Sequence, residues 1–216
     1  MSCFRLLFLT SLACLWCMVL LNIRQEISGQ GWFGFMGWNL FLAGIPLGLS
    51  LSLQRIRHPL LGMPLIATWL LFFPNAPYVL TDLVHLKQRA GVPLWYDLLL
   101  LMSFALVALW MGFQSLRIVQ DWVAQRTSAL IAWGFVLTSL VLSGFGIYLG
   151  RFLRWNSWDI VSRPHALFRD VLVRVTDPLA YTSTWLVTLG FGGLLIIAYL
   201  FWVAANTAPA TAKVRE

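Results

Sequence analysis

Eight polar residues could do chemistry and are set in strongly apolar surroundings: Asn75, Asp82, His85, Asp97, Arg151, Arg154, Asn156 and Asp159. Ionisable groups in or near a bilayer are costly, so they face a cavity or one another and often mark function. Asp82 and His85 lie three residues apart, a spacing that lets both reach one cation from a helix, with Asp97 and Asp159 as further ligands. Carboxylate with imidazole suits zinc, manganese or iron, and such a site can activate water. Asp82, His85, Asp97 and Asp159 are therefore the candidate catalytic residues, and Asp82 and His85 the candidate metal ligands. Arg151 and Arg154, also three apart, can hold a phosphate or carboxylate through forked donors. With Asn75 and Asn156 they form the candidate substrate-binding set. A divalent metal and a lipid-linked or phosphorylated substrate would suit hydrolysis or group transfer here, although one histidine and scattered aspartates fall short of a recognised metal motif.

The elements that must position these residues are membrane helices. The chain has 216 residues, 60% of them hydrophobic and only 11% charged, and its mean hydropathy is +0.79. A soluble domain of this length needs more polar residues to cover its surface, whereas lipid removes that need. The length suits one transmembrane domain over residues 1–206, with a disordered tail at 207–216. The net charge of +7 would raise nucleic acid as a partner in a soluble protein. Here the bases lie mostly in short loops between apolar runs, so anionic lipid headgroups are the nearer partners, and no nucleic-acid motif is present. The cysteines Cys3, Cys14 and Cys17 crowd into the first apolar stretch and form no disulfide framework. That stretch reads as a retained signal anchor, since it is long for a cleaved leader and no small-residue cleavage site follows it.

A span needs about 20 apolar residues to cross the hydrocarbon. The hydropathy pattern predicts six, at 6–22, 33–53, 60–74, 95–116, 129–150 and 182–203. The fold class is all-α, a polytopic bundle. The third span is short and runs into Phe73-Pro74-Asn75-Ala76-Pro77, where two prolines forbid a regular helix, so it stops at mid-depth or breaks and resumes. Broken backbone at membrane depth persists only where protein or a wet cavity covers it. After the break, a 100° wheel puts Tyr78, Asp82, His85 and Arg89 on one face of a short helix. In the fifth span Ser139, Ser143, Gly146 and Gly150 share a face that permits close helix approach, and one more turn arrives at Arg154. In the long loop Ser162-Arg163-Pro164 opens an interfacial amphipathic helix with Leu167, Phe168, Val171, Leu172 and Val175 on its apolar side. Six spans bring the Pro74–Leu94 and Arg151–Tyr181 loops to one side of the membrane. Basic residues divide almost evenly between the two sides, so they only lean toward termini inside.

The stretch Phe73-Pro74-Asn75-Ala76-Pro77-Tyr78-Val79-Leu80-Thr81-Asp82-Leu83-Val84-His85-Leu86 resembles a bacterial membrane family known as domain of unknown function 1361. Trp95-Tyr96-Asp97-Leu98-Leu99 carries the same resemblance, as does the run from Gly144 through Arg151, Arg154 and Asn156 to Asp159. It covers most of the chain from about residue 40 to 200. It implies a polytopic bacterial membrane protein and brings no catalytic residues with it; the cytoplasmic membrane is the expected location.

Three functions fit these residues. The first is a structural or accessory membrane component, alone, as a homo-oligomer or in a complex, in which Asp82 and Asp97 pair with Arg151 and Arg154 to lock the loops. The second is the metal-dependent hydrolase or transferase described above. The third is a small transporter or lipid-binding protein, with the broken helix lining its site.

Overall fold

The structure, a computed structural model, describes residues 3–89 and 91–207. Its helices are α1 (Cys3–Ser28), α2 (Phe35–Leu53), α3 (Pro59–Phe72), α4 (Asn75–Tyr78), α5 (Leu94–Ala124), α6 (Ala129–Phe152), α7 (Asp159–Ser162), α8 (Pro164–Thr176) and α9 (Thr182–Thr207). A 3-10 helix, Val79–His85, continues α4. Among the described residues six stretches are long and apolar enough to cross a membrane, with Pro59–His85 as the third. The chain is an all-α polytopic bundle. Thr207 ends α9, and the remainder of the expected tail lies outside the described residues.

Two helices are longer than their apolar runs. α1 continues past residue 22 to Ser28 and carries Arg24 into the bundle, and α5 continues past 116 to Ala124. Burial on one side sustains helix where hydropathy alone has faded. α2 packs along α5, and α6 along α9. Close packing of the second pair depends on Gly144: a Cβ there would collide with the Thr188 carbonyl and lie 2.9 Å from the Gly192 nitrogen.

The third span does break and resume. Pro74 and Pro77 supply no N–H, so the ladder ends with the Phe73 N–H on the Trp69 carbonyl and restarts as the single turn α4. The segment beyond differs from the expected helix over Tyr78–Arg89. It is a 3-10 helix that stops at His85, and Arg89 instead pairs with Val92 in an isolated bridge. With three residues per turn, residues three apart eclipse one another, which stacks Asp82 directly under His85. Carbonyls near the break are covered by side chains: Ser157 donates to Leu71 at 3.2 Å and Asn75 to Phe72 at 2.8 Å. The small-residue face of α6 receives this segment. A Cβ at Gly146 would lie 2.6 Å from Pro74, and one at Gly150 would lie 3.0 Å from the Tyr78 ring.

Candidate functional site

α2, α3, α4, α6 and the loop after α6 enclose a cleft of about 1060 Å³. Leu70 and Leu71 of α3 and Leu142, Phe145 and Leu149 of α6 form apolar wall. Asn39, Asn75, His85, Arg151, Arg154, Asn156 and Ser157 supply its polar groups, and Phe35, Trp38, Tyr78 and Trp155 its aromatic ones. Nine residues of α6 separate Leu142 from Arg151, so the cleft descends roughly 13 Å at about 1.5 Å per residue. One leaflet's hydrocarbon is about 15 Å thick.

All four predicted substrate-binding residues line this cleft: Asn75, Arg151, Arg154 and Asn156. Of the predicted catalytic residues only His85 does. Asp82, Asp97 and Asp159 are each buried in a different hydrogen-bonded cluster.

Asp82 and His85 do converge on one cation, and that cation is the Arg151 guanidinium. Arg151 Nη2 meets the Asp82 carboxylate at 2.5 Å, and Nη1 lies 3.3 Å from His85 Nε2. Arginine only donates, so this contact fits the tautomer with its proton on Nδ1. Thr81 accepts from Nε and Nη2 of the same arginine, and the guanidinium lies over the Tyr78 ring at 4.6 Å. The second Asp82 oxygen accepts from Asn39 Nδ2 at 2.8 Å. Among the described residues no three His, Cys, Asp or Glu side chains are placed to share a metal ion.

Asp97 pairs with neither Arg151 nor Arg154. It is bound by Arg24 Nε at 2.5 Å and Arg89 Nη1 at 3.3 Å, and Arg24 is fully buried. Phe33 packs on both guanidinium groups, and Trp32 on that of Arg89. Two arginines on one carboxylate leave a net positive charge in the cluster, and Arg24 Nη1 has no protein partner.

Asp159 organises its own loop. It accepts from the Asn156 backbone N–H at 2.8 Å, from the Ser162 hydroxyl at 3.0 Å and from Arg163 at 3.0 Å. The Asn156 N–H above all, then Arg163 and Ser162, hold its carboxyl below its ordinary value against the opposing effect of burial.

Arg154 is the exception among the charged residues of the cleft. It sits just past the end of α6 with φ +61°, a left-handed conformation. Glycine takes this position at least cost, and an L side chain there costs about 1–2 kcal/mol. Arg154 is exposed and makes no ion pair or hydrogen bond among the described residues. A flexible cation at a position suited to glycine, on the rim of an apolar cleft, is suited to meeting an anion.

Sequence reasoning missed Arg24 and Asn39. Arg24 directly continues an apolar run, and Asn39 is the one amide in the otherwise apolar and small residues of α2 before its serines. An isolated polar residue inside a span is the available signal.

The chain belongs to the family described as a protein of unknown function (DUF1361), whose model matches residues 38–198. The match takes in every polar residue of the cleft. No curated protein and no solved structure matches the chain.

Proposed function

We propose that this protein binds a membrane amphiphile with an anionic headgroup, the head at the Arg154 rim and the chain along Leu149, Phe145 and Leu142. The observation that carries the reading is Arg154, held in a left-handed conformation at the cleft and committed to no carboxylate. The apolar wall descends by about one leaflet's depth, which suits an acyl or isoprenoid chain. Arg151 is neutralised by Asp82 and positions the rim, while Arg154 supplies the surplus charge. A forked arginine–phosphate contact contributes about 1.5–3 kcal/mol. Dioleoyl phosphatidylglycerol added to protein in neutral detergent should therefore raise its melting temperature. Phosphatidylcholine should not, and Arg154→Gly should lose the response. Equal responses to both lipids would overturn the reading.

A second reading, an accessory component of a membrane complex, is favoured by the Arg24–Asp97–Arg89 cluster, which ties α1, the start of α5 and the segment just before α5 together. Both readings are for a protein among membrane lipids, with the bacterial cytoplasmic membrane as the proposed location.

A further inference from the structure

The headgroup's chemistry can be narrowed from the amides that line the cleft. Asn39, Asn75 and Asn156 all do so. An amide offers two N–H donors on one end and a carbonyl acceptor on the other, and the end facing a known partner fixes which way it points. Each has a partner that only accepts, and Asn75 Nδ2 also reaches the Ser157 hydroxyl at 3.0 Å. Asn39 Nδ2 donates to the Asp82 carboxylate at 2.8 Å, Asn75 Nδ2 to the Phe72 carbonyl at 2.8 Å, and Asn156 Nδ2 to the Asp159 carboxylate at 3.4 Å. The nitrogens are thereby assigned, and the Oδ1 atoms are left as acceptors. No protein group among the described residues donates to any of them.

Three acceptor oxygens and one uncommitted cation lining the same cleft suit a ligand that brings donors as well as negative charge. A bare phosphate monoester offers little to donate. An ammonium group would donate but would be repelled by Arg154. Hydroxyl groups donate without charge.

Resting on the amphiphile reading above, we infer that the cleft selects a polyhydroxylated anionic lipid, a sugar- or polyol-phosphate headgroup on a hydrophobic chain. Arg154 takes the phosphate, and the Asn39, Asn75 and Asn156 side-chain carbonyls take the hydroxyls.

The test is selective retention. The full chain is reconstituted in vesicles holding equal amounts of phosphatidylcholine, phosphatidic acid, phosphatidylserine, phosphatidylglycerol and phosphatidylinositol. It is then extracted in a detergent without hydroxyl groups, and retained lipid is quantified by mass spectrometry. Phosphatidylinositol is expected to be enriched about tenfold over phosphatidic acid, the effect of one to two additional net hydrogen bonds. Plain charge attraction gives the opposite order, because phosphatidic acid carries at least as much negative charge. Asn156→Ala should reduce that preference about threefold. Phosphatidic acid or phosphatidylserine retained as well as or better than phosphatidylinositol overturns this inference and leaves the amphiphile reading standing. No anionic lipid retained above phosphatidylcholine overturns the amphiphile reading itself. Displacement of the retained lipid by an equal concentration of soluble inositol 1-phosphate would overturn the assignment to a lipid.

Discussion

The two arginine clusters use the same side chain in opposite ways. At Asp97, Arg24 and Arg89 share a carboxylate under the aromatic rings of Trp32 and Phe33, and Arg24 is fully buried. At the cleft, Arg151 is held by Asp82 and Thr81, but Arg154 stands exposed with its backbone strained and its guanidinium unclaimed. The first cluster commits both arginines to one buried carboxylate and ties three parts of the fold together. The second keeps one charge available. Burial and partner count, more than the presence of charge near a membrane, separate a lock from a site.

The comparison breaks first at Asp97→Asn. Removing the carboxylate leaves two guanidinium groups without their counter-ion, and losing one partner of a buried pair costs about 3–5 kcal/mol. Thermal unfolding in detergent should show a large drop, while the anionic lipid bound per folded molecule stays at the wild-type level. Lipid binding that falls in step with Asp97 would merge the two clusters into one site.

Arg154→Gly should do the reverse. Glycine relieves the left-handed backbone, so stability should stay within about 1 kcal/mol of wild type. Affinity for anionic lipid should fall about tenfold or more, the effect of one charge-assisted contact of about 1.5–3 kcal/mol. A large loss of stability would make Arg154 a structural residue.

Gly144→Ala supplies a packing control. Its new methyl meets backbone of α9 and can be accommodated only if the helices separate, at about 1–3 kcal/mol. Melting should fall, and lipid selectivity among the remaining folded molecules should match the wild type.

The smallest effect concerns Asp159. Its carboxyl is held below the ordinary value of 3.8, so its contribution is complete above that pH and is lost as the pH falls toward the lowered value. Hydrogen exchange of the Asn156 and Arg163 amides should accelerate across that acidic window. Asp159→Asn should abolish the dependence.

Much of the architecture is legible in the residues. Hydropathy marks six spans, Pro74 and Pro77 mark the break, and Ser162-Arg163-Pro164 marks α8. The Gly146 and Gly150 face does admit a neighbour, namely the broken segment itself. The chemistry is less legible, because pairing depends on rotation and depth. A 100° wheel already puts Asp82 and His85 on one face, but it does not show that the cation they share is the Arg151 guanidinium, on which the observed 3-10 helix stacks them. Hydropathy fades before α1 ends, which leaves Arg24 outside the predicted span and hides the partner of Asp97. Nothing in a list of residues reveals that Arg154 stands at a position suited to glycine, since that depends on where α6 stops.

The central claim is that Arg154 makes the cleft a single anionic-lipid site, and native mass spectrometry tests it most directly. Wild type and Arg154→Gly are titrated in parallel with dioleoyl phosphatidylglycerol in a neutral detergent. The account predicts one saturable adduct per wild-type chain, absent from the variant at the same concentrations. Identical, unsaturable adduct ladders in both proteins would contradict it.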